Sequence, residues 1–311
     1  MRWLGRAPGT ASRADGPPPT AEQGRLRREL EADVHELAGR IGERNLSRTD
    51  ALDAAARFIE RSLGEAGHAR IDRQRYEADG HPCDNLAVEI PGTDRADEIV
   101  VVGAHYDSAF GSPGANDNGT GVAAVLAFAR RWAARAPGRR TLRLVAFTNE
   151  EVPHTHEESM GSLRYARRCR RQQERIVAML ALETMGYYSN APHSQSYPLP
   201  MTPLYPNRGS FIGFVGNLGS LPLVRRSAAA FRRHSDFPCR SAILPGWVPG
   251  VAWSDHASFW SQGYPGIMVT DTAPFRYPHY HRPSDTPDKV DYPRLARVVE
   301  GLMGVVDDAV G

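Results

Sequence analysis

Residues 98–121 read EIVVVGAHYDSAFGSPGANDNGTG, and residues 141–151 read TLRLVAFTNEE. Glu98–Ala104 is an almost unbroken apolar run, which fits a strand buried on both faces of a parallel sheet. Thr141–Thr148 is a second strand that leads straight into Asn149-Glu150-Glu151. Between them a helix is expected to open at Gly119. It carries Val122, Val125, Leu126, Ala129 and Trp132 at helical spacing, and Pro137-Gly138 stops it. This alternation predicts an α/β fold: a mostly parallel, mixed central sheet with helices on both faces. Such sheets bind ligands in the crevice beyond the carboxyl ends of their strands. His105, Asp107, Asp117, Glu150 and Glu151 all fall at that end. Crowded carboxylates repel one another and lose hydration, and a divalent cation removes both costs. An imidazole among them favours zinc-like ions over calcium or magnesium.

Outward from this centre the reading continues in both directions. Residues 1–24, rich in Pro, Gly, Ala and Arg, are expected to form a disordered tail, and 25–311 a single domain. Leu26, Leu30, Val34, Leu37 and Ile41 mark one helix; Leu52, Ala55, Ala56, Ile59 and Leu63 mark another, ended by Gly64 and Gly67. Strands are expected at 69–77 and 85–90, with Pro91-Gly92 as a turn. A helix follows over 160–174, then a buried strand Ile176–Leu182 that ends on Glu183. Residues 186–210, with their prolines, read as a long loop. Phe211–Val215 and Gly266–Val269 complete the strands, and Pro293–Val310 is a closing amphipathic helix.

Composition narrows the function classes. A net charge of +2 gives no basis for nucleic acid as a partner. Lys289 is the only lysine, and the arginines are scattered apart from Arg167, Arg168, Arg170 and Arg171, which read as a solvated helix face. Cys83, Cys169 and Cys239 form no CxxC pair, so neither a structural zinc site nor a disulfide framework is indicated. No apolar run suits a signal peptide or a membrane span, so the expected compartment is the cytoplasm, or the exterior if the start site is misassigned.

Other motifs fall short of a chemistry. Gly119–Ala124 fits a loose GxGxxA pattern, but the preceding strand ends too early and no acid follows at the required distance. Ser112 lacks the strand-to-helix setting of a nucleophile. Asp107 is either a loop acid or the carboxylate that fixes the tautomer of His105. Adjacent Glu150 and Glu151 converge only if the backbone turns after its strand; they then offer a metal ligand and a general base, in an order that spacing does not assign. Glu183 ends a wholly apolar strand, where a carboxylate needs a reason. His281 competes with His279, His154 and His156 read as peripheral, and His256 is ambiguous.

Taken in order, His105-x-Asp107, Asp117 before Asn-Gly-x-Gly, Asn149-Glu150-Glu151, Glu183, Ser254-Asp255-His256 and Tyr280-His281-xxx-Asp285-Thr286 resemble the clan MH zinc peptidases. The likeness is to the family that holds bacterial leucyl-type aminopeptidases, glutamate carboxypeptidase, glutaminyl cyclase and the catalytically silent transferrin receptor. It spans about residues 83–310. The resemblance implies two zinc ions bridged by Asp117, one completed by His105 and Glu183, the other by Glu151 and His281. It makes Glu150 the general base on a bridging water, gives Asp107 the task of orienting His105, and sets Asp255 near the substrate end of the pocket. Two departures stand out: Glu183 where well-known members carry aspartate, and an insertion over 152–160.

The expected protein is therefore a di-zinc exopeptidase, an aminopeptidase in the first instance, acting on peptides. A glutaminyl cyclase or carboxypeptidase of the same fold and a catalytically silent interaction module are the alternatives. Arg208 and Arg276 are candidates to grip a substrate carboxylate. The preferred residue and the oligomeric state are not legible in the sequence.

Overall fold

The computed structural model describes residues 20–198 and 205–311. Most of the expected tail lies outside these residues, but its last part does not behave as expected. Thr20 opens a helix, α1 (Ala21–Val34): its hydroxyl accepts the amide of Gln23 at 3.1 Å, and the Gln23 side chain accepts the amide of Thr20 at 3.1 Å. This reciprocal capping satisfies two free donors and overrides the compositional bias of the segment. The helix loosens into a wider turn over His35–Ile41 and stops at Gly42. α2 (Thr49–Glu65) follows, with Leu52, Ala55, Ala56, Ile59 and Leu63 buried as read.

Eight strands form one sheet. β1 (Asp72–Ala78), β2 (His81–Ile90), β3 (Arg95–His105), β4 (Arg140–Phe147), β5 (Arg175–Glu183), β6 (Ile212–Gly216), β7 (Cys239–Ile243) and β8 (Gly266–Thr270) lie in the order β1-β2-β4-β3-β5-β8-β6-β7. The block β4-β3-β5-β8 is parallel throughout, and β6 with β7 is parallel as well. β1, β2 and β4 run alternately, and β6 opposes β8. The sheet is mixed, with its parallel centre where the apolar runs predict it.

Alternation along the central strands divides the core. Val100, Val102 and Ala104 face a large layer packed by α1, α2, α3 (Thr120–Ala133), α5 (Leu221–His234) and α7 (Tyr292–Val310). Ile99 and Val101 face a smaller layer under α4 (Gly161–Arg171) and α6 (His256–Ser261). There the Phe147 ring meets Tyr165 and Phe259 edge-on. It also covers Gly103, where a Cβ would come within 2.4 Å of the ring, so only glycine fits.

Three elements escape the sequence reading. In α5 the arginines 225, 226, 232 and 233 dilute an apolar stripe of Leu223, Val224, Ala228 and Phe231. β7 is a half-exposed edge strand of five residues, and α6 is too short to show a period. No helix among the described residues is long and apolar enough to cross a membrane.

Candidate active site

Because β4, β3, β5 and β8 are parallel, their carboxyl ends open on one side. His105 and Glu183 are the last residues of β3 and β5. After β4 the chain turns through Asn149, whose φ of +57° redirects the backbone so that Glu150 and Glu151 both point into the crevice. The Asn149 amide holds this turn by donating to the Tyr76 hydroxyl and the Cys83 sulfur, each at 3.2 Å. Asp117 occupies an irregular turn, Ala115–Gly119, just before α3. His281 arrives from the loop after β8, with the Tyr280 ring stacked on it at 3.8 Å.

These side chains converge around Asp117. Its Oδ1 lies 3.4 Å from His105 Nε2, which is itself 3.3 Å from Glu183 Oε2. Its Oδ2 lies 3.0 Å from His281 Nε2, which is 3.2 Å from Glu151 Oε2. The two oxygens of one carboxylate thus serve two separate groups. Glu150 stands slightly back, with Oε2 3.7 Å from His105 Nε2, and a third possible grouping joins His105, Glu150 and Glu151. His105 Nε2, Asp117 Oδ2 and Glu151 Oε1 are buried without a hydrogen-bond partner.

A second set of residues fixes the first. Asp107 accepts the backbone amides of Glu150 at 3.2 Å and Glu151 at 3.0 Å, so it anchors the glutamate turn as well as lying 3.6 Å from His105 Nδ1. Asp285 accepts the amides of Asn116 and Asp117 and the Tyr277 hydroxyl at 2.9, 3.1 and 2.6 Å. Ser254 donates to Glu183 Oε2 at 2.7 Å. Arg44, fully buried, donates Nε to the Tyr106 carbonyl at 2.6 Å, and its Nη atoms to the carbonyls of Gly42, Pro113 and Gly114. It therefore clamps the loops of both Asp107 and Asp117. The sequence reading missed Arg44, because nothing in its local pattern separates it from the other arginines.

Electrostatics betray the crowding. Burial pushes Glu150 well above the usual carboxylate range, and Glu183 and Glu151 add to the rise. Burial and the Asp117 charge push Glu151 up to about 7. Asp117 is buried too, but the two imidazoles outweigh that and hold it low. Despite its own burial, His281 is pushed up to about 10 by Asp117 and Glu151. Crowding of this kind is what a bound cation relieves.

The other residues singled out in the sequence have varied settings. Asp255 is buried at 1% exposure with both oxygens unpaired, within electrostatic range of His105 and Glu183, and does not line the adjacent pocket. Arg276 donates Nε to Gln195 and Nη1 to the Phe211 carbonyl and is 8% exposed, with Nη2 left unpaired. Arg208 is exposed and holds the Asn190 carbonyl. His256 is buried on the Val251 carbonyl, His154 holds Ser159, and His279 holds Ser284. The 152–160 insertion reaches the site through Thr155, whose hydroxyl donates to the Glu150 carbonyl.

The profile of peptidase family M28 matches residues 85–306. The chain belongs to that family. It is 37% identical over 284 residues to the protein YfbL of Escherichia coli, a match covering 88% of this chain and 86% of that one. It is 29% identical to a "probable leucine aminopeptidase" of Arthroderma otae, covering 79% of this chain and 62% of the relative. Among solved structures, the zinc aminopeptidase of Bacillus subtilis superposes with a TM-score of 0.72 over 91% of this chain and 95% of that one, at 16% identity. A glutaminyl cyclase of Fimbriiglobus ruber gives 0.66 over 90% and 94%, at 19% identity. These likenesses establish the fold of this M28 chain as that of the zinc peptidases.

The donor set fits zinc. Nitrogen and oxygen ligands about 2.0–2.2 Å from a tetrahedral zinc stand roughly 3.4 Å apart. The four distances around Asp117 run from 3.0 to 3.4 Å. Of the orphaned atoms, His105 Nε2 belongs to one of these groups and Asp117 Oδ2 to the other, so a cation in each would satisfy them. Beside Glu183 and Tyr280 a largely apolar pocket opens, walled by Tyr197, Phe211, Val251, Trp253 and Phe275.

Proposed function

We propose that this M28 peptidase is an aminopeptidase that works with two zinc ions. The observation that carries the reading is the division of the Asp117 carboxylate, one oxygen toward His105 and Glu183, the other toward His281 and Glu151. His105, Asp117 and Glu183 would hold one ion; Asp117, Glu151 and His281 the other. Zinc, when bound, polarises a carbonyl and acidifies water. Glu150 lies outside both groups, within reach of the space between them. Its carboxylate is the base that takes a proton from the attacking water and returns it to the departing amine. Asp107 keeps that base in place by holding the backbone of both glutamates. Asp107, Asp255 and Asp285, set against the one charge of Arg44, leave the surroundings negative once two dications balance Asp117, Glu150, Glu151 and Glu183. That residual charge favours an amine-bearing chain end over a carboxylate at the reacting centre. The pocket beside Glu183 receives the side chain of the first residue.

The test is a panel of aminoacyl anilides and small peptides given to zinc-loaded protein. Cleavage should require a free α-amine and disappear on N-acetylation. Activity confined to N-blocked substrates with a free carboxyl end would reject the reading, and so would ammonia release from N-terminal glutamine without peptide cleavage.

A further inference from the structure

The pocket beside Glu183 has an ordered floor, and its far end carries a charge that the reading above does not use. Glu183 on β5 pairs with Thr270 on β8, Thr270 with Gly213 on β6, and Gly213 with Arg240 on β7. Residues paired in this way point to the same face of a sheet, so the four form one row across it. With strands about 4.8 Å apart, the row spans about 14 Å between the backbones of Glu183 and Arg240. All four line the pocket. Gly213 adds no side chain, so the row is hollow in the middle; a Cβ there would come within 3.2 Å of the Thr270 carbonyl. The result is an apolar-walled trough with the zinc ligand Glu183 at one end and a guanidinium at the other.

Arg240 differs from most half-buried arginines. Arg73, Arg130, Arg143, Arg168 and Arg297 are also half-buried, and each holds a carboxylate, whereas Arg164, like Arg240, holds only a backbone carbonyl. Among the described residues Arg240 has no carboxylate within 4 Å. Its Nη1 donates to the Cys239 carbonyl at 2.8 Å, and its guanidinium lies 6.0 Å from the Phe211 ring centre. Among the described residues its Nε and Nη2 donate to no partner, which leaves one edge for a guest. Planar, bidentate pairing makes carboxylate the preferred partner of such a group. Both residues line the pocket, and a row about 14 Å long that already carries these two side chains leaves room for about one further residue.

We propose that Arg240 recognises a carboxylate of the substrate residue lodged in this trough, so that the peptidase favours an acidic residue there over a purely apolar one. The inference rests on the peptidase reading. Two sources could supply the carboxylate: the side chain of an acidic first residue, or the free carboxyl end of a last residue.

The experiment compares kcat/KM of zinc-loaded protein for the 4-nitroanilides of glutamate, leucine and arginine, and for N-acetyl-alanyl-glutamate. In the wild type the glutamyl anilide should exceed the leucyl one. Arg240→Gln should cut the glutamyl rate at least tenfold while leaving the leucyl rate within about threefold, and Arg240→Lys should restore part of it. Arg240→Glu should shift the preference to the arginyl anilide. If the loss appears on N-acetyl-alanyl-glutamate instead, the carboxylate is the terminal one, and the aminopeptidase reading falls while the role of Arg240 stands. Equal losses on glutamyl and leucyl substrates, or a wild type that prefers leucine, overturn the inference and leave the peptidase reading intact. No cleavage of any peptide overturns both. Calorimetric titration with free L-glutamate gives a second readout: binding should weaken at least tenfold in Arg240→Gln, and unchanged binding counts against the proposal.

Discussion

At the scale of single residues, neighbours in sequence have different work. Glu150 and Glu151 share one turn and one anchor in Asp107, yet only Glu151 lies against His281. Glu150→Gln should leave zinc content and thermal stability unchanged while lowering turnover by about two orders of magnitude or more, the cost of losing a general base. Glu151→Gln should weaken zinc binding as well, measured by dialysis against a graded chelator. If Glu150→Gln loses zinc and Glu151→Gln retains it, the roles are reversed. His105, Glu150, Glu151 and Glu183 were legible because each ends or closely follows an apolar run, whereas His281, 11 residues beyond β8, stood out only through the family motif. Asp285 was visible only as part of a motif, and Arg44 not at all. Their work is to hold backbone carbonyls and amides, and that leaves no mark in residue type or spacing.

At the scale of elements, β1 is an edge strand kept in place by charge. Asp84 on β2 accepts from Arg73 and Arg75 across the hairpin at 2.6 to 3.1 Å. β1 also carries Tyr76, which meets the Asn149 turn, so the pairing supports the glutamates at one remove. Burial pushes Asp84 up, but Arg75 and Arg73 more than offset it, and its carboxyl titrates below the usual range. A depressed folded-state value contributes stability above the unfolded pKa of about 3.9 and loses it as pH falls through the folded value. Asp84→Asn should therefore cost about 1–2 kcal/mol at pH 7, with the gap to wild type narrowing as pH falls below the unfolded pKa of about 3.9. Denaturant melts over a descending pH series check this, and a gap that does not narrow as the pH falls speaks against it. The long elements were readable from their periods. α5, β7 and α6 were not, since a diluted stripe, a half-exposed edge and a six-residue helix give no period to read.

At the scale of the whole molecule, the sheet gathers ligands from segments far apart in the chain, and two ions should tie them together. Elemental analysis of gently purified protein should approach two zinc per chain. Zinc at a hundredfold excess over its dissociation constant should stabilise the fold by about 2.7 kcal/mol per independent site, read as a rise in melting temperature reversed by chelation. Saturation at one ion would remove the two-zinc reading. The α/β architecture was legible from the alternation of strands and helices, and the metal chemistry from which residues end the strands. The trough toward Arg240 was hidden, because strand order is a property of the folded sheet and not of the linear chain. The late position of His281 carries a further consequence. His105, Asp117 and Glu183 have all been made by the end of β5, but Ser254, which donates to Glu183, and Asp285, which accepts the amide of Asp117, come later, as does His281. Neither group around Asp117 can take its final shape before the chain is nearly finished, so proteolytic power would arrive only then.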